Sequence, residues 1–176
     1  MGKRKNVDWK PLGEKEKREL AKWAAGYSKL ARSNDSMREL GRDGLDAIFW
    51  YWTADALDPE GYVVRDAIKY NFSHLPHTAG ARSQLELNQR DMPTQPSGWG
   101  RGLQHEHVIP KAALIRVIMA NRLNADAIYE LLSKFCCAAI VTPDEHKKLA
   151  KVSDDWMNLD PFDRYRGVKL YPPRKR

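Results

Sequence analysis

The chain has 176 residues, 42% of them apolar, and a formal net charge of +7; that is enough for a real core and excludes wholesale disorder. No apolar run approaches the ~20 residues of a membrane helix, and the opening MGKRKNVDWK has positive charge without the apolar stretch of a secretory signal. Cys136 and Cys137 are the only cysteines, and as neighbours they supply neither a disulfide framework nor a four-ligand zinc site.

These limits predict a soluble, cytoplasmic protein without a membrane partner, and the charge predicts an anionic one. In chain order, residues 13–32 place Leu20, Trp23, Ala24, Tyr27, Leu30 and Ala31 at helical spacing. A second helix is expected from about Asp35, with Met37, Leu40, Leu45, Ile48, Phe49 and Trp52 on one face and Gly41 and Gly44 weakening it. The FWYW run at 49–52 resembles base-stacking aromatics, but at helical spacing such residues belong to the core. PEGYVVRDAIKYNF, 59–72, reads as a third helical piece, and the Pro-, Gly- and Ser-rich stretch from Ser73 to Gly100 reads as a long loop. His74 and His77 lie in that loop, with no carboxylate beside them to complete a metal site.

Beyond the loop, RGLQHEHVI reads as a short strand ended by Pro110. Two helices follow, one with Leu114, Ile115, Ile118 and Met119 on a face, the other capped by Asn124 and carrying Ile128, Leu131, Leu132 and Phe135. CCAAIV is of strand length, and TPDEHKKLAK opens a helix with Thr142 as cap, Pro143 at the first position and Glu145 closing a capping box, so His146 falls in the first turn. The last thirteen residues, 164–176, hold six Lys or Arg and no acid. The reading divides the chain into an N-terminal helical region (1–75), a loop (76–101) and a region with the chemistry and a basic tail (102–176). The expected fold class is α+β and mostly helical.

The triplet His105, Glu106, His107 has the composition of a metal site. If the two strands pair antiparallel and the final helix packs across them, His146 comes near Glu106 and His107. A carboxylate and an imidazole suit a divalent cation that keeps positions open for water and substrate, and a further imidazole suits a general base. Alternation along a regular strand puts His105 and His107 on one face and Glu106 on the other, which makes the two histidines the paired ligands. A bend before Pro110 instead lets adjacent residues reach one site, and Glu106, His107 and His146 are then the preferred set, with His105 as the reserve ligand.

EHVIP, followed after a spacer by AAIVTPDEHKKL, resembles the two halves of the ββα-metal motif of HNH endonucleases; DRYRGVKL is similar to the tail of bacterial and phage proteins of that type. The resemblance spans about residues 103–170. It implies two short antiparallel strands and a helix, here with a helical insertion and N-terminal helices. It further implies Glu106 and His146 as ligands of Mg²⁺ or Mn²⁺, with Zn²⁺ also compatible, and His107 as general base. Hydrolysis of DNA to 5′-phosphate and 3′-hydroxyl ends follows from the same likeness, with no small-molecule cofactor. Lys147 is an expected backbone contact, and Arg164 and Arg166, which flank Tyr165 and can both point one way while the ring points the other, are read either as phosphate contacts or as salt-bridge partners of the acidic stretch DDWMNLD just before them. The sequence departs from the motif in three ways: Cys137 stands where the middle Asn is expected, the spacer is long, and structural CxxC pairs are absent. The missing Asn motivates an alternative, a noncatalytic nucleic-acid-binding protein with a decayed HNH fold.

Overall fold

Helix α1 (Glu14–Ser33) and helix α2 (Asp35–Ala54) form a hairpin whose turn is a single residue, Asn34. Asn34 is extended, ending one helix, and its side chain accepts the Met37 amide at 2.9 Å, capping the next. The computed structural model describes residues 10–57, 75–93, 98 and 100–172; the helical piece expected at 59–72 and His74 lie outside them. The fold is α+β and mostly helical, and it divides into two compact units.

The first unit joins the N-terminal helices to α4 (Lys111–Asn121) and most of α5 (Ala125–Phe135). The helical insertion thus belongs with the chain's beginning, not with the strands that flank it. Its core holds Leu20, Leu45, Ile48, Phe49, Leu114, Ile118, Ile128 and Leu132, all fully or almost fully buried. Trp52 is also buried and meets Tyr129 edge-on, so the FWYW run supplies core side chains. Trp23 and Leu40, read from the sequence as part of the apolar stripes, are instead more than half exposed. The buried stripe of α1 runs through Leu20, Ala21, Ala24, Ser28 and Ala31, because small residues are what let the two helices approach closely. Gly41 explains itself in the same way: a Cβ there would lie 2.5 Å from the Ala31 Cβ and 2.6 Å from the Tyr27 carbonyl oxygen.

The second unit is built from residues 68–110 and 134–176. Strand β1 (His77–Thr78), β2 (Gln104–His107), β3 (Ala138–Val141) and β4 (Leu170–Tyr171) form a sheet in the order β2-β3-β1-β4. β2 and β3 are antiparallel, β1 runs parallel to β3, and β4 is antiparallel to β1. The stretch read as loop contains β1 and a helix, α3 (Ala79–Asp91). Its buried positions, Ala81, Leu85 and Asn88, have helical spacing, but one is tiny and one polar, which hid the period. Asn88 sits there because its side-chain amide donates to the Arg101 carbonyl at 2.7 Å.

After β3, helix α6 (Pro143–His146) starts with the expected capping box. The Glu145 carboxylate does more than close it. Thr142 donates to it through its amide at 3.2 Å and its hydroxyl at 2.8 Å, Thr78 through its hydroxyl at 2.6 Å, and Gly80 through its amide at 2.8 Å. One carboxylate therefore ties α6 to the end of β1 and to the first turn of α3. Burial pushes its pKa up, but the bonds from Thr78, Gly80 and Thr142 outweigh this and hold it below the ordinary carboxylate value.

Two outcomes follow. Gly41→Ala lowers stability by about 2 kcal/mol, since the overpacking exceeds the propensity gain; a urea melt that shows Gly41→Ala to be stabilised contradicts the close approach. Because the folded pKa of Glu145 is depressed, its contribution is complete above the ordinary value of 4.5 and is lost as pH falls through the folded one. Glu145→Gln therefore unfolds at lower temperature near neutral pH, and its deficit against the parent shrinks in melts below pH 4.

Candidate functional site

The register of the sheet decides which side chains meet. Pairing of Glu106 with Ala139, Gln104 with Val141, and Thr78 with Leu170 sets those residues on one face. His105 pairs with Ile140 and His107 with Ala138, while His77 also pairs with Ile140, so the three histidines share the opposite face. The rings of His105 and His107 confirm the alternation, meeting edge to face with centroids 5.0 Å apart. β2 is regular through residue 107, and the bend allowed for by Pro110 comes only after it.

On the Glu106 face, α6 and the 3-10 helix Pro161–Tyr165 deliver the partners. Glu106 Oε2 lies 3.0 Å from His146 Nδ1, and Glu106 Oε1 accepts from the Arg164 guanidinium at 3.0 Å. The same Arg164 nitrogen donates to the carbonyls of His107, at 3.4 Å, and Val108, at 3.3 Å. The charged ends are graded in exposure: the Arg164 side chain is 12% accessible, Glu106 17% and His146 45%, so the pair opens toward solvent on the imidazole side. Below them Val108, Ala139, Val141 and Tyr165 form a buried apolar cluster that keeps water from the inner side of the carboxylate. The Tyr165 hydroxyl finds no hydrogen-bond partner among the described residues. Burial pushes its pKa far up, the negative charge of Glu106 adds to this, and Arg164 partly opposes it.

The structure thus unites Glu106 and His146, as the sequence suggests, and separates His107 and His105 from them. His107 is not placed to act as base at this pair, and His105 is not a third ligand of it, because strand alternation turns both imidazoles to the other face. Among the described residues no group of three His, Cys, Asp or Glu side chains is arranged to hold a metal. Glu106 and His146 together offer one carboxylate and one imidazole, fewer protein donors than the three or four of a zinc site. The 3.0 Å between Glu106 Oε2 and His146 Nδ1 is a direct hydrogen-bond distance, so the two atoms face each other.

Cys137, at the place of the expected Asn, works through its backbone. Its carbonyl accepts the Val108 amide at 2.9 Å, which holds the chain as it leaves β2. Of the three cations expected to face phosphate, Lys147 is exposed beside Asp144 and Arg166 is exposed beside Asp163, whereas Arg164 is committed to Glu106. Next to Arg164 opens a cleft of about 180 Å³ whose walls include Ile109, Lys151, Trp156 and Arg166. The sequence leaves Arg164 open between a phosphate contact and a salt bridge to the acidic stretch at 154–160; the partner it takes is Glu106, 58 residues earlier, which no local pattern indicates. Comparison with family models, with curated proteins and with solved structures finds no match for this chain.

Removing a buried hydroxyl that lacks a partner lifts a desolvation cost. Tyr165→Phe is therefore expected to match or exceed the parent in thermal stability, by up to about 1 kcal/mol. A clear loss on the same melt would mean that the hydroxyl has a bonding role.

Proposed function

We propose that the chain is a metal-dependent endonuclease of the HNH type that hydrolyses DNA phosphodiester bonds, with Glu106 and His146 holding a divalent cation, Mg²⁺ or Mn²⁺. The observation that carries this reading is the meeting of a strand carboxylate and a helix imidazole at 3.0 Å in a strand–strand–helix arrangement. A divalent ion bound there supplies charge neutralisation for a phosphate oxygen and its leaving group. The residues themselves do the holding. Glu106 presents one oxygen outward, His146 presents Nδ1 from the more open side, and the cluster under Glu106 excludes water from behind. Lys147 and Arg166, both exposed, are suited to the phosphate backbone. DNA is the proposed partner and the cytoplasm the proposed compartment; among the described residues no helix is long and apolar enough to cross a membrane.

The position of His107 favours a second reading. The imidazole that the HNH likeness assigns as base lies on the far face of β2, as expected if the fold is kept for nucleic-acid binding without turnover. The two readings part in one assay. Supercoiled plasmid incubated with Mg²⁺ or Mn²⁺ is expected to be nicked, EDTA to stop it, and Glu106→Gln and His146→Ala each to slow it roughly a hundredfold or more. His107→Ala is expected to cut at a rate within a few-fold of the parent. DNA retained in a salt-sensitive complex with no nicking under either metal would establish the noncatalytic reading instead.

A further inference from the structure

We infer that Arg164 is a positioning residue for the cation-binding carboxylate and not a phosphate contact. This rests on the reading of Glu106 and His146 as a cation site and adds how that site is kept in shape. Three consecutive acceptors, the Glu106 carboxylate and the carbonyls of His107 and Val108, converge on one guanidinium nitrogen. The first contact fixes which carboxylate oxygen is taken, leaving the other turned to His146. The other two fix the backbone where β2 leaves the sheet and its carbonyls would otherwise lose strand partners. All three contacts use the same terminal nitrogen, and the rigid, permanently charged guanidinium plane holds that nitrogen in place with less rotational freedom than a lysine ammonium on its flexible stem.

Burial separates this role from nucleic-acid contact. The Arg164 side chain is 12% accessible, whereas Arg166, two residues on, is 81% accessible. Tyr165, between them, is buried in the cluster beneath the sheet, so the 3-10 turn itself sends one arginine inward and the other out.

Arg164 acts on cation affinity in two opposed ways, and this makes the inference testable. Its positive charge repels a cation at Glu106, while its hydrogen bonds preorganise the ligand. If positioning dominates, removal weakens binding; if charge dominates, removal strengthens it. The probe is Mn²⁺, titrated calorimetrically into the full chain, its Arg164→Met and Arg164→Lys variants, and Glu106→Gln as the blank. DNA affinity is measured in EDTA, and melting temperatures check folding. Arg164→Met is expected to bind Mn²⁺ roughly ten- to a hundredfold more weakly. Arg164→Lys keeps the charge but places the donor nitrogen on a shorter, more flexible stem, so a several-fold weakening there reports positioning and not charge, and it remains informative if Arg164→Met fails to fold. Both variants should bind DNA in EDTA as the parent does, with Arg166→Ala showing the loss instead. Mn²⁺ affinity unchanged or raised in a folded Arg164 variant, or a loss of DNA affinity like that of Arg166→Ala, overturns the inference. No Mn²⁺ uptake by the parent above the Glu106→Gln blank removes the cation site itself, and the inference with it.

Discussion

A single carboxylate, that of Glu106, is held from both sides by a guanidinium and an imidazole brought from two different elements. Most of the second unit can be understood as the means of keeping it there. A carboxylate only 17% accessible needs hydrogen-bond partners, and it has them in Arg164 on one oxygen and His146 on the other. Each partner depends on something further away. His146 is aimed by a four-residue helix too short to persist alone, and the Glu145 carboxylate anchors it through the capping box and through Thr78 and Gly80. Arg164 is aimed by Tyr165, whose ring is buried with Val108, Ala139 and Val141.

What could be read from the sequence divides along a physical line. Elements with a strong period or explicit caps were legible: the hairpin of α1 and α2, the paired helices α4 and α5, the run Ala138–Val141, and the capping box that places His146 in a first turn. Elements whose buried face is small or polar were not. α3 looked like loop because Ala81 and Asn88 stand where leucines would have shown the stripe, and the two-residue strands β1 and β4 exist through pairing that no local pattern encodes. The exposed Trp23 and Leu40 show the converse error, since helical spacing marks an apolar face without fixing how much of that face is covered.

The site was partly legible for the same reason. Glu106 and His146 could be brought together from element order, because two antiparallel strands and a crossing helix bring a strand residue near a helix start. The failure concerned His105 and His107. Their sequence neighbourhood suggested one cluster, but a regular strand obeys a period of two, and β2 stays regular up to the last histidine. The proximity of Arg164, 58 residues on in the chain, is a tertiary fact with no local signature.

The most direct measurement is the anomalous difference map of a crystal of the protein soaked in Mn²⁺. The expected result is one strong peak within about 2.3 Å of both Glu106 Oε2 and His146 Nδ1, with Arg164 still on Oε1. A peak at His105 and His107 on the other face of the strand, or none beside Glu106 in a crystal that takes up the ion elsewhere, would contradict the reading of this pair as a cation site.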